Sequence, residues 1–481
     1  MLNTATLAYR KVFRSSNVGK SSAITAEEAQ YTLTALAATR QRMGEQWRPN
    51  QVLGRREPIG CVALEITQRC NLDCTLCYLS QNSESVRDLP IQEIFHRIDN
   101  IKKSFGPGTS VQITGGDPTL RNRQELVEIV KYTRSIGLIP ALFTNGIKCS
   151  RELLQDLCAV GLNDVAFHID LTQERKGFKT EKDLNAVREE YMNRAKGLPL
   201  TVIFNTTVHD GNFHEIPDLV RFFMAHTDQI NFVSFQLQAD TGRGELRKRG
   251  YVISTETVRE QINKGVGRGL DWDRILYGHP KCHSYVPTLS INGNLHEVIK
   301  DQKFLNNVLE DFSYVMFDRR QKRLKIVMSF LWEARRRPLW YLRGLKWLAD
   351  IVWRAKWDLI KSGGTVNRLS FFVHNFMDAK ELECDRVNAC SFMVITPDGP
   401  ISMCAHNAKR DEYILKPTTV QTEQGPVLWN PMGEKPRIAG SAGRRDDPTA
   451  VTVPAEMAGG PLAQAMAKVS GGSCGSTGST K

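Results

Sequence analysis

Between residues 61 and 238, six short apolar runs alternate with helical patterns, and that alternation leaves the chain few folds to choose from. CVALEIT (61–67), SVQITG (110–115), IPALFTNG (139–146), DVAFHIDL (164–171), LTVIFNTTV (200–208) and INFVSFQLQ (230–238) read as strands. Between them lie helical stretches: LPIQEIFHRIDNIKKSF (89–105), RQELVEIVKYTRSIG (123–137), RELLQDLCAVG (151–161), a long polar helix to about 196, and IPDLVRFFMAH (216–226). Gly137 and Gly161 close two of them, as C-terminal glycines do. Strands joined by crossover helices of this length make a parallel sheet. Six units rather than eight predict an α/β fold, a partial (β/α)6 TIM-like barrel, with ligands at the C-terminal ends of its strands.

Around that core the 481 residues divide by composition. Residues 1–57 read as an N-terminal helical extension, with AEEAQYTLTALAATRQRM (26–43) as its helix, and 58–275 as the partial barrel. Residues 276–310 read as a loop and strands, 311–365 as a basic, Trp-rich helical segment, and 366–415 as a segment carrying three cysteines. From 416 to 481 Pro, Gly, Thr and Ser dominate, which predicts disorder. The N-terminus lacks the apolar run of a secretory signal, and no run of 18 uncharged apolar residues occurs. The 11 cysteines are therefore expected as reduced thiols and metal ligands in the cytoplasm.

Cys70-Asn-Leu-Asp-Cys74-Thr-Leu-Cys77 follows the first strand. Three thiolates on one short loop can hold three irons of a [4Fe–4S] cubane and leave the fourth iron open. Structural zinc, the competing reading, usually takes four ligands, often from paired CxxC units. Gly115-Gly116-Asp117-Pro118 follows the second strand, and glycines there allow a backbone to approach a ligand closely.

The triplet and the GGDP motif together resemble the radical SAM superfamily over about 60–240. That resemblance implies a fold and a chemistry: S-adenosylmethionine (SAM) chelates the open iron, Gly115, Gly116 and Asp117 meet its amino end, and Asn145, His168, Asp170 and Asn205 at other strand ends meet its ribose or carboxylate. It also implies reductive cleavage of SAM to a 5′-deoxyadenosyl radical that abstracts hydrogen from an unactivated carbon. The chain departs from the commoner pattern at Leu76, where many members carry an aromatic residue; Tyr78 follows the third cysteine instead. In this it resembles the branch containing the archaeal tetraether lipid synthases, as do FQLQADTGR (235–243), His279-Pro280-Lys281-Cys282 and CSFMVITPDGPISMCAHN (390–407).

Cys282, Cys384, Cys390 and Cys404 could fully ligate a second metal site, an auxiliary [4Fe–4S] cluster or a zinc. Cys61, Cys149 and Cys158 fall in strand or helix patterns and read as core thiols. Between 319 and 361 thirteen Lys and Arg face three acids, a surplus of about ten that accounts for most of the chain's net +12. Five of its eight tryptophans lie there as well: Trp332, Trp340, Trp347, Trp353 and Trp357. Trp and Leu interleaved with Arg and Lys describe a helix lying on an anionic membrane surface. So many tryptophans on a helical stripe favour a bilayer over nucleic acid, the other partner that basic, aromatic surfaces take.

The expectation is a radical SAM enzyme acting on a lipid alkyl or acyl chain (by C–C coupling, methylation or dehydrogenation) at the inner face of the membrane. Flavodoxin or ferredoxin would supply electrons. Two rival readings are a peptide- or protein-modifying maturase with an auxiliary cluster, and a non-catalytic iron–sulfur protein docked on the membrane.

Overall fold

The computed structural model describes residues 25–243, 252–313, 323–433 and 437–438. Its six barrel strands are β1 (Cys61–Thr67), β2 (Ser110–Gly115), β3 (Ile139–Thr144), β4 (Asp164–His168), β5 (Thr201–Val208) and β6 (Ile230–Leu237). They lie side by side in chain order and every neighbouring pair is parallel. All seven residues of β1 are buried, as a parallel strand covered on both faces requires.

Helices cover the outer face of the sheet. Ile91–Phe105 buries Ile94, Ile98, Ile101 and Phe105, a set at helical spacing, and Arg123–Ser135 and Arg151–Ala159 bury Leu126, Ile129, Leu153 and Leu157 in the same core. Ser150 caps the last of these by accepting from the Leu153 amide at 3.2 Å. The N-terminal helix Ala26–Met43 starts on a capping box formed by Thr25 and Glu28, and Glu28 pairs with Lys102 of the helix behind β1 at 2.5 Å. Residues 1–24 of the expected N-terminal extension lie outside the described residues.

Three readings of the sequence change. The polar helix after β4 covers only Asn185–Ala195, because Leu171–Gln173 forms a 3-10 turn and the chain stays irregular until Leu184. The regions 276–310 and 366–415 are not appended to the barrel but widen its sheet. β9 (Asn367–Asn375) pairs parallel to β6 and carries β7 (His283–Ile291) and β8 (Asn294–Glu297) beyond it. At the opposite edge β10 (Phe392–Thr396) pairs parallel to β1, and β11 (Gly399–Ser402) completes an 11-stranded sheet. Finally, the segment expected to be disordered from 416 begins with a hairpin, Thr418–Thr422 and Gly425–Trp429, whose Val420 and Trp429 are buried. Alternating apolar and polar residues there outweigh the Pro and Gly content. Residues 439–481 lie outside the described residues.

Phe204 on β5 is 1% exposed, with ring centroids 6.0 Å from Phe167 and 5.8 Å from Phe223, so strand and helix layers meet on it. Phe204→Ala would leave a cavity that these neighbours cannot fill. A loss of about 3–5 kcal/mol is expected in urea unfolding; an unchanged midpoint would show that the layers do not depend on that contact.

Candidate active site

The C-terminal ends of β1 to β6 surround a cavity of about 230 Å³. The loop carrying the cysteine triplet leaves β1 and crosses the mouth of that cavity. Its shape is fixed by backbone. Gly116 and Asp117 donate to the carbonyls of Thr67 and Arg69 at 2.9 and 2.8 Å, and Thr75 donates to the carbonyl of Thr172, beyond β4, at 2.9 Å. Gly116 is required for this: a Cβ there would collide with the Arg69 carbonyl, one residue before Cys70.

Cys70, Cys74 and Cys77 all line the cavity, and among the described residues no fourth cysteine does. Burial pushes the thiols of Cys70 and Cys74 up. For Cys74 the nearby charges of Asp170, Cys77 and Cys70 push the same way. Ionised together, these thiols need a cation beside them, and thiolate-bound iron is such a cation. Among the described residues no three His, Cys, Asp or Glu side chains are placed to hold a single metal ion. A cubane makes a different demand, since each thiolate takes a different iron and the three must ring a cavity rather than converge on a point. The donor set therefore fits a [4Fe–4S] cluster with one iron open to the cavity.

The other residues read from the sequence divide into two groups. Gly115, Gly116, Asn145, His168 and Asn205 line the cavity. Asn145 also ties the triplet loop to β3, donating to Asn71 Oδ1 at 2.7 Å and lying 3.9 Å from Cys70 Sγ. Asp117 and Asp170 do not line the cavity. Both are fully buried, and their oxygens are already used. Asp117 accepts from Thr119 N at 3.0 Å, Thr144 Oγ1 at 2.8 Å and Asn145 N at 2.8 Å, so it joins the ends of β2 and β3. Asp170 accepts from Thr172 N at 2.9 Å and Thr207 N at 2.8 Å, and its Oδ2 lies 2.8 Å from His168 Nε2. Burial alone would raise the Asp170 carboxyl; His168 and these donors hold it well below the usual range. In this structure Asp117 thus holds Asn145, and Asp170 holds His168, from behind the cavity wall.

Reading the sequence left out a second layer under the cluster loop. The Tyr78 hydroxyl donates to the Gly115 carbonyl at 2.6 Å, and its ring packs 4.8 Å from the Arg410 guanidinium. Arg410 in turn donates to Glu65 Oε1 at 2.6 Å and Gln68 Oε1 at 3.2 Å. Burial would raise the Glu65 carboxyl, but Arg410 and His406 pull it down to about 2. An acid in the middle of the apolar run CVALEIT was the available signal, because charged residues are rarely buried unless paired.

Of the second cysteine set, Cys282, Cys390 and Cys404 are buried and close enough to influence one another's ionisation. Arg386 Nε lies 3.2 Å from Cys282 Sγ. Cys384, expected as a reduced fourth ligand, instead opens the short helix Cys384–Asn388, is exposed, and is disulfide-bonded. Cys61, Cys149 and Cys158 are buried in β1, beside the helix Arg151–Ala159, and within it, as core thiols.

The basic segment forms two helices, Arg323–Ala334 and Leu339–Lys361. The longer one, about 35 Å at 1.5 Å per residue, has two different faces. One face docks. Trp340, 2% exposed, donates to Asp311 Oδ2 at 2.8 Å, Trp347 donates to the Val298 carbonyl at 2.8 Å, and Asp358 meets His296 Nε2 at 2.9 Å. The other face leaves Leu342, Leu345, Leu348, Val352, Trp353, Trp357 and Ile360 in solvent, with Trp353 71% exposed. Trp332 is exposed on the shorter helix under Arg335, and Lys356 sits 3.6 Å from the Trp353 ring. The five tryptophans therefore do not form one surface, since Trp340 and Trp347 anchor the helix to the protein. Among the described residues no helix is long and apolar enough to cross a membrane.

Residues 64–223 match the radical SAM superfamily. Over 186 residues the chain is 28% identical to a 7,8-dihydro-6-hydroxymethylpterin dimethyltransferase of Methanocaldococcus jannaschii, covering 37% of this chain and 36% of that one. It is 32% identical to a PqqA peptide cyclase of Bradyrhizobium diazoefficiens over 33% of this chain and 42% of that one. It is also 30% identical to a GTP 3',8-cyclase of Chlorobaculum tepidum over 42% of this chain and 60% of that one. The matches thus span about a third to three fifths of these relatives' own lengths.

Gly116→Ala tests the site's construction. Its Cβ must push the Arg69 carbonyl away, so the cluster loop shifts and reconstituted iron should fall well below the wild-type content. Gly344→Ala, which meets nothing within 4 Å, is the control and should leave iron unchanged. Equal iron in both variants would contradict the close approach as the feature that shapes the loop.

Proposed function

The chain belongs to the radical SAM superfamily of enzymes, and from that premise we propose that it abstracts hydrogen from an alkyl or acyl chain of a membrane lipid. When bound, the cluster and SAM supply a 5′-deoxyadenosyl radical able to break an unactivated C–H bond. Cys70, Cys74 and Cys77 would hold the cluster, and the backbone of Gly115 and Gly116 would approach SAM. Asn145, His168 and Asn205 offer polar groups to the cavity. Leu72, Leu76, Leu237, Phe376, Phe392 and Met403 add apolar lining. Such apolar lining suits a substrate without polar handles.

The observation that carries the lipid reading is the exposed Trp/Leu face of Leu339–Lys361. A contiguous apolar helix face in solvent is costly unless something covers it. Flanking cations, among them Arg343, Lys346 and Lys361, suit anionic headgroups, while Trp332, Trp353 and Trp357 suit the depth just below them. The enzyme would then sit at the inner face of the membrane, draw its substrate from it, and take electrons from a flavodoxin or ferredoxin. Coupling, methylation and dehydrogenation are all compatible outcomes.

A peptide substrate is the second reading. It is favoured by the similarity to a peptide cyclase and by the closeness of Cys282, Cys390 and Cys404, three of the thiols read as auxiliary-cluster ligands; Cys384, the fourth, would first have to leave its disulfide. The exposed basic, aromatic face has no role in it.

Vesicle sedimentation separates the two. The protein should bind anionic vesicles far better than neutral ones, since each nearby Lys or Arg contributes about 1 kcal/mol at such a surface. High salt should weaken binding without abolishing it. Replacing Trp332, Trp353 and Trp357 by Ser should weaken the salt-resistant part at least tenfold, about 1.4 kcal/mol, while SAM cleavage by dithionite persists. No binding to either vesicle type would move the weight to the peptide reading.

A further inference from the structure

After β6 ends at Leu237, residues 238–243 (QADTGR) run back along the cluster loop. Gly242, at φ +64, lies so close that a Cβ would collide with the backbone of Cys77 and Tyr78. The next residue, Arg243, donates its amide to the Leu79 carbonyl at 2.7 Å. Its side chain is 7% exposed and reaches across the loop. Nη2 lies 3.4 Å from the Leu72 carbonyl and 3.3 Å from Asp73 Oδ1, Nη1 lies 2.9 Å from Glu84 Oε1, and the Cys77 thiol is close enough to feel the guanidinium charge. Its charge reaches Cys74 as well. Nε is buried and has no hydrogen-bond partner among the described residues. The carboxylates paired with it, those of Asp73 and Glu84, are mostly in solvent, where water weakens their pull on the guanidinium without removing it. The guanidinium itself is shielded from water, so a positive charge only partly offset by these carboxylates is left beside two cluster ligands.

We propose that Arg243 is a positioning residue that also raises the reduction potential of the cluster held by Cys70, Cys74 and Cys77. One-electron reduction by an external donor adds a negative charge to the cluster and makes or breaks no bond. A fixed cation beside Cys77 and Cys74 stabilises that added charge. Arginine suits the position because its planar fork serves the Leu72 carbonyl and two carboxylates at once, and it cannot lose its charge. The inference rests on the cluster being held by these three cysteines.

The test is a redox titration of the anaerobically reconstituted full-length protein with dithionite and mediators. It follows the low-temperature electron paramagnetic resonance signal that added SAM perturbs, because that signal belongs to the cluster with the open iron. At a fixed ambient potential, R243Q should lower the ratio of reduced to oxidised cluster about tenfold, equivalent to about 59 mV for one electron. R243K keeps the charge and should retain most of the wild-type potential. E84Q removes an exposed counter-charge and should shift the potential the other way with a full complement of iron, which keeps the test available if R243Q fails to hold its cluster. An unchanged midpoint in R243Q, or an unchanged midpoint in E84Q when both arginine variants lose the cluster, overturns the proposal. A wild-type protein without the SAM-sensitive signal would instead refute the cluster itself.

Discussion

Three thiols crowded beside buried carboxylates are the condition around which the rest of the structure is arranged. Burial and mutual repulsion oppose ionisation of Cys70 and Cys74, with Asp170 adding to the cost at Cys74, so the loop is built to receive a cation rather than to stand alone. Because the ligands cannot hold themselves, the neighbouring backbone does it. Gly116 and Asp117 support the loop from β2, Thr172 from beyond β4, and Gly242 with Arg243 from beyond β6. Each support comes from the C-terminal end of a strand, which is why a parallel sheet suits this chemistry.

The C-terminal third serves the same centre. β10 pairs with β1, the strand that launches the cluster loop, and the short helix after β11 leads to Arg410, which neutralises Glu65 within β1. Arg410 also packs against the Tyr78 ring, and the Tyr78 hydroxyl bonds to Gly115. A chain of contacts thus runs from the last third of the sequence to the glycines after β2. At the other edge β9 extends the sheet past β6, and behind its neighbours β7 and β8 the long basic helix is pinned by Trp347 and Asp358. Removing a buried member of the first network would leave an unpaired charge, which is costlier than the pair is stabilising.

Much of this was legible in the sequence because periodicity and spacing are local. The six strands and most of their helices follow from alternation and the triplet from its spacing, while GGDP was read by its resemblance to a family motif. What was not legible depends on contacts distant in sequence. Asp117 and Asp170 stand at strand ends beside polar neighbours, and only the fold shows that four backbone and hydroxyl donors have already claimed Asp117. The tryptophans of the basic segment share a composition, but a helix has sides, and Trp340 and Trp347 point to the protein while Trp353 and Trp357 do not. The hairpin at 418–429 was hidden by a compositional reading that overlooked its alternation.

The central claim is that hydrogen is taken from a lipid chain by a radical generated at the Cys70–Cys74–Cys77 site. Reconstituted protein incubated with dithionite, SAM and anionic vesicles whose acyl or alkyl chains are fully deuterated tests it most directly, with mass spectrometry of the 5′-deoxyadenosine formed. Deuterium should appear in that product, and should vanish when Cys74 is replaced by Ala. Ample 5′-deoxyadenosine carrying no deuterium from any chain offered would contradict the claim.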